Sequence, residues 1–290
     1  MNLLRAQQPL DARLRWLLPL STLVILMASW EAAVRTTHTQ GLVPLPSGIH
    51  RSGTNLTLDG VIFEAMSGSL KRVLIGFSIG ALAGIPLGLA IGTIPVLNRS
   101  LRMVLDTLRS IAPIAWIPMA ILWLGVRGNA ALFVVAYAAV FPFVVNASQA
   151  AQLIDRRLVD AARALGAGRW VVIRSVLVPG CMPMIFTGAR IALSFAWASI
   201  IAAELAIGIK IAGQGRSVAG IGQLMVETLY VKRDVDALVF YMLVIGLVSL
   251  LIDTGLRRGQ RRLLPWKMKL IRLSNCAMSA RRTSRRATGN

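Results

Sequence analysis

The sequence predicts an all-α, polytopic membrane protein with six transmembrane helices. Three observations carry that reading. Hydrophobic residues make up 56% of the 290, and charged residues only 15%. The apolar residues fall into runs of about 20, long enough for helices to cross a bilayer core of roughly 30 Å. The basic residues cluster in alternate connections and in the tail, as membrane topology requires. A net charge of +20 on a soluble chain would suggest nucleic acid. This distribution points instead to a lipid bilayer and away from nucleic acid. Cys181 and Cys276 both fall on the predicted cytoplasmic side or at its edge, and two such cysteines make no disulfide framework.

Residues 1–15 carry Arg5, Arg13 and Arg15 and form a predicted cytoplasmic N-terminus. The first span is 16–35, with Trp16 to about Val34 as its apolar run. That run is long for a signal peptide, and Ala28-Ser29-Trp30 is a poor cleavage site. Residues 36–68 hold Pro44, Pro46, Gly48, Gly53 and Gly60 and read as an external loop leading into a short amphipathic helix. Residues 69–256 form the core. Its first crossing, about Val73 to Ile94, has Gly76, Gly80, Gly84, Gly88 and Gly92 at every fourth position. Small residues on one stripe let helices approach closely. Lys71 and Arg72, on the outer side, are expected to snorkel to the interface.

Asn98 to Arg109 is a basic cytoplasmic connection. The third span, Ile111 to Leu124, is short, so its first turns are expected to begin in that connection. Pro113 and Pro118 interrupt its backbone bonding, which lipid penalises unless protein or water repairs it. Two readings fit equally: a broken helix beside a solute path, or ordinary kinks in a packed bundle. A turn at Val126 to Asn129 precedes span four, Ala130 to Ala150, which contains Pro142 and Asn146. Span five is Met182 to Gly208 and span six Val235 to Leu256. The external segment between them contains an amphipathic stretch at Ile221 to Tyr230. Residues 257–290 are a basic tail, and 267–290 read as disordered.

The segment between spans four and five, 155–179, has its own grammar. Asp160 is a good helix-start residue, with its carboxylate near the positive end of the dipole. Ala161, Ala162, Arg163, Ala164 and Leu165 favour helix. Gly166 supplies a left-handed stop. A second short helix fits Trp170 to Val178, with Trp170, Ile173 and Leu177 on one face and Pro179 ending it.

At these residues the chain resembles the EAA loop of ABC importer permeases, roughly E-A-A-x-x-x-G followed by a hydrophobic helix and Leu-Pro. Asp160 stands where the family usually has Glu, and Val178-Pro179 replaces Leu-Pro. The resemblance extends to Pro183–Leu205, to the APIAWIPMAILWLGV stretch around Trp116, and to Thr254–Trp266. These look like the nitrate/sulfonate/taurine group.

That resemblance implies the fold of type I ABC importer permeases (MetI-like). It implies a permease subunit of an ATP-driven importer in the inner membrane, multi-pass, with both termini cytoplasmic. The solute would be small and anionic or zwitterionic, taurine or an alkanesulfonate first, nitrate or bicarbonate as the alternative. Partners would be a second permease copy in a homodimer, ATP-binding ABC subunits and an external substrate-binding protein. The chain itself would bind no cofactor, with ATP and Mg on the partner subunit. Leu165, Trp170 and Ile173 would anchor the ATPase. Arg163 and Arg169 would make charge contacts, Gly166 would set the elbow, and Asp160, Ala161 and Ala162 would complete the loop. Pro113, Trp116, Pro118, Asn146 and Glu204 are candidates for the translocation path or gate.

No G-x-x-x-x-G-K-[ST] phosphate loop occurs; Gly208 to Gly213 has the glycine spacing, but Gln214 and Gly215 follow. His38 and His50 are the only histidines, which leaves no metal cluster or Ser/His arrangement. The chain is therefore read as a transport subunit and not an enzyme. A stand-alone carrier or channel would call for inverted repeats or a charged relay within the spans, and neither is visible. Glu204 and Arg190 lie within span five, where charges face a partner or a wet cavity. Glu204 either sits near the outer half of the path or ties span five to its neighbours. On this topology 22 of the 32 Lys and Arg residues face the cytoplasm, in keeping with the positive-inside rule.

Overall fold

The computed structural model describes residues 12–37, 43–125, 128–211 and 220–263. Those residues are almost wholly helical. In chain order the elements are α1 (Ala12–Thr36), α2 (Pro46–Leu58), α3 (Val61–Thr93), α4 (Pro95–Ser110), a 3-10 turn (Pro113–Trp116), α5 (Ile117–Leu124) and α6 (Gly128–Gln152). Then come α7 (Arg156–Ala164), α8 (Arg169–Val172), a π segment (Ile173–Leu177), α9 (Val178–Ile211), α10 (Ile221–Glu227), a second π segment (Thr228–Lys232) and α11 (Val235–Leu263). Among the described residues, four helical stretches are long and apolar enough to cross a membrane: α3, α6, Arg169–Gly208 and α11. The pair α4 and Pro113–Leu124, bent by 83°, makes a fifth candidate. α1 covers the predicted first span and stands outside that count; it exposes Val24, Ile25, Leu26 and Met27.

The bundle is built on the seam between α3 and α6. A Cβ at Gly76, Gly80, Gly84, Gly88 or Gly92 would come within 2.5–2.7 Å of α6 atoms belonging to Val135, Ala139, Val140, Val144, Ala151 and Ser148. Such a distance is below any ordinary contact, so only glycine permits this approach. α9 closes the third side. Val73, Val134, Val135, Ala196, Trp197, Ile200 and Ala203 form the largest buried cluster, joined by Ile117 and Ala120 of α5. α11 lies outermost and exposes Met242, Leu243, Leu247, Leu250 and Leu251, an apolar face suited to lipid.

The structure corrects several expectations. The predicted external loop is largely helix: Pro46 starts α2, and α3 begins at Val61, not near Val73. Gly60, at φ +69°, is the actual break; nothing in residues 61–72 opposes helix. α2 is held to the start of α11, where the Leu45 N–H donates to Asp236 at 2.9 Å and Ser52 to Asp234 at 3.4 Å. Arg72 does not snorkel. It turns inward toward Glu204. The third span and the preceding connection do not form one straight helix: α4 ends at Ser110 and the chain bends by 83° into Pro113–Leu124. Ile111 and Ala112 are extended (ψ 114° and 135°), as the residue before a proline must be. The Gly213–Arg216 stretch, the N-terminal eleven residues and the 267–290 tail lie outside the described residues.

Candidate functional site

The elbow between α6 and α9 is built by local signals. Asp155, not Asp160, caps α7: its carboxylate accepts the Arg157 N–H at 3.0 Å. Asp160 is exposed within the helix. α7 ends in a double-bonded stop, with the Ala167 N–H donating to the Ala162 carbonyl at 3.0 Å and the Gly166 N–H to Arg163 at 2.9 Å. This is the pairing of a Schellman turn, and it needs a left-handed residue at Gly166, which has φ +84°.

Around the stop, Leu165 is 90% exposed and Trp170 72%, with Leu158, Val171 and Ile173 also exposed. Ala161, Arg163 and Arg169 face outward beside them, and Ala162 is half-buried. Leu177 turns the other way, into a cluster with Ala150, Ala151 and Cys181. The predicted stop at Pro179 does not occur. A π segment at Ile173–Leu177 runs into α9, and Pro179 falls in the first turn of α9. The run is continuous through Pro179, so its missing N–H removes one bond from the ladder beside the π segment, where the pairing already changes.

The path candidates separate. Pro113 and Asn146 line one cleft of about 310 Å³, together with Arg109, Ile111, Tyr137, Phe141, Ile191 and Phe195. Trp116 is not in that lining; its ring meets Tyr137 at a tilt of 47° with centroids 5.2 Å apart, and its buried indole N–H has no partner among the described residues. Tyr137 donates to the Leu108 carbonyl at 2.7 Å and so pins the end of α4 to α6. Pro118 is exposed on α5 and away from the cleft lining. Arg109 and the aromatic pair Tyr137 and Phe141 had no role in the sequence reading. Their four-residue spacing on α6 is the one signal that could have suggested a shared face.

Glu204 is not at the cleft. It is 1% exposed and belongs to a buried polar knot. Ser69 donates to its carboxylate at 2.8–2.9 Å, Arg72 at 2.8 Å and the Gly222 N–H at 3.1 Å. The Ser69 hydroxyl in turn accepts the Ile221 N–H at 3.0 Å. A Cβ on Gly220 would lie 2.1 Å from the Glu204 carboxylate, so the start of α10 fits over it only as glycine. A buried carboxylate is costly unless its lone pairs are filled; here donors from α3 and α10 fill them. Of the two readings for Glu204, the geometry supports the tie. Arg190 pairs elsewhere, with Asp253 of α11 at 3.1 Å.

Comparison with known proteins agrees with this architecture. The profile of the family described as binding-protein-dependent transport system inner membrane component matches residues 82–268. The taurine transport system permease protein TauC of Escherichia coli (strain K12) is 29% identical over 269 residues, covering 88% of this chain and 94% of TauC. The bicarbonate transport system permease protein CmpB of Synechococcus elongatus is 35% identical over 211 residues, 71% of each chain. Among solved structures, an inward-facing form of the MetNI methionine ABC transporter aligns with a TM-score of 0.58 at 19% identity, over 71% of this chain and 97% of that one.

Proposed function

The chain belongs to the binding-protein-dependent transport system inner membrane components, as an ABC importer permease and multi-pass inner-membrane protein, and from that premise we propose that it carries taurine or a related alkanesulfonate inward. Two copies would line one pathway, with both termini in the cytoplasm. ATP and Mg would be held by separate ATPase subunits, and an external receptor would deliver the solute.

One observation carries the coupling half of this reading. Leu165 and Trp170 present bare apolar surface on either side of the Gly166 stop, beside Arg163 and Arg169. Exposed large apolar groups rimmed by charge mark protein contacts. An ATPase gripping this elbow would move α8 and α9 together, coupling nucleotide closure to a two-state pathway. The taurine assignment is supported by the relative matched along most of its length. The bicarbonate relatives favour a second reading, an inorganic anion as the solute.

The test is to purify the chain with its co-encoded neighbours and reconstitute the complex. An ATPase should co-elute, and taurine with the receptor should raise ATP hydrolysis and solute uptake together. Co-elution of no ATPase would sink the coupling. Stimulation by bicarbonate and not by taurine would transfer the assignment to the second reading.

A further inference from the structure

Resting on the reading of this chain as the pathway-forming subunit, we propose that the cleft between the end of α4, α6 and α9 is a solute-contact site. Arg109 is its anion-binding residue, and its occupant is a small organic anion or zwitterion. Arg109 is the one cation among the described residues lining the cleft. Its Nε lies 3.1 Å from Asp106, and both side chains are 49% exposed. Asp106 also faces Arg102 at 4.0 Å, so one carboxylate balances two guanidinium groups. A half-exposed pair of this kind is weak, and an arriving anion can take over the guanidinium fork, whose planar donors match carboxylate or sulfonate oxygens.

Asn146, on the α6 wall of the same cleft, has different chemistry. The Asn146 amide nitrogen donates to the Pro142 carbonyl at 2.8 Å. That leaves the amide oxygen, an acceptor, and the second amide N–H, a donor. Together they suit an ammonium, a hydroxyl or a further anionic oxygen. Tyr137, Phe141, Ile191 and Phe195 supply the apolar part of the lining. Tyr137 to Asn146 spans about 13 Å of helix. A cation, an apolar lining and an amide in a cleft of about 310 Å³ complement a molecule with an acidic head, a short carbon body and a second polar group. A bare inorganic anion would leave the apolar lining unused.

The test uses the complete transporter in phosphatidylcholine nanodiscs. Cys181→Ala and Cys276→Ala remove the native thiols, and Ile191→Cys places one thiol in the cleft wall. Its reaction rates with an anionic sulfonatoethyl and a cationic trimethylammonioethyl methanethiosulfonate are compared. The anionic-to-cationic ratio should fall about tenfold in Arg109→Gln, return in Arg109→Lys, and rise in Asp106→Asn. 2-Aminoethanesulfonate should slow labelling when Arg109 is present and not in Arg109→Gln. An unchanged ratio in Arg109→Gln and in Asp106→Asn overturns the proposal, as does protection by nitrate equal to that by 2-aminoethanesulfonate. A lipid headgroup offers the same anion. If adding phosphatidylglycerol slows labelling and abolishes protection by the solute, the occupant is lipid and the assignment falls. An unchanged charge ratio in a complex that still transports removes only the cleft, whereas loss of ATPase co-elution removes the coupling reading itself.

Discussion

The knot around Glu204 and the elbow around Gly166 lie toward opposite ends of one long helical run, and they break the usual rule of burial in opposite directions. At the knot a carboxylate is 1% exposed, with Ser69, Arg72 and Gly222 closed over it. At the elbow Leu165 and Trp170 are open to solvent with nothing packed on them. The knot spends polar contacts inside one chain and leaves none over. The elbow fixes its backbone with two terminal hydrogen bonds and leaves its apolar side chains unused. A buried charge with all its partners present reads as internal architecture; exposed apolar groups on a rigid backbone read as surface held ready for another molecule.

Four substitutions break or sharpen this contrast. Glu204→Ala should be the most damaging, because it removes the acceptor of the Ser69 hydroxyl, the Arg72 guanidinium and the Gly222 N–H in the interior. Loss of one partner from a buried pair costs about 3–5 kcal/mol, to be read as a lower unfolding midpoint of the detergent-solubilised protein. Gly80→Leu should follow. It forces a side chain into the 2.6 Å gap against Ala139, at a cost of about 1–3 kcal/mol for overpacking, visible in the same assay. Gly166→Ala should cost about 1–2 kcal/mol, since a Cβ disfavours its left-handed backbone, and should weaken ATPase association through a misaimed elbow. Trp170→Asp should change stability by less than about 0.5 kcal/mol, as an exposed position does, yet abolish ATPase co-elution and uptake. A destabilised Trp170→Asp protein, or a fully stable Glu204→Ala protein, would erase the distinction between the two regions.

Much of this was legible in the residues. The glycines at every fourth position from Gly76 to Gly92 named their own face, because helical spacing is a local property and the seam uses it directly. Gly166 was legible for the same reason: a left-handed stop needs little beyond glycine in the right place. The misreadings have a common cause. Asp155 lay just outside the matched motif, so Asp160 took the capping role that Asp155 performs five residues earlier. Pro179 looked like a terminator because a proline's effect depends on its position within a helix. The π segment ahead of it has no sequence signature. The partners of Glu204 were invisible because Ser69 and Arg72 lie 135 and 132 positions away. Arg109 was read only as one charge in a basic connection, since the cleft it lines exists only once α4, α6 and α9 are assembled.

The unbroken helical run from Arg169 to Ile211, with its π interruption at Ile173–Leu177, has a further consequence. Trp170 and Glu204 are 34 residues apart on it, about 51 Å at the rise of an α-helix. Under the proposed docking, torque applied at the indole would have one rod to travel along and one π-wound joint at which to dissipate. Stiffening or softening those five residues would then change how far the remote end swings for each stroke.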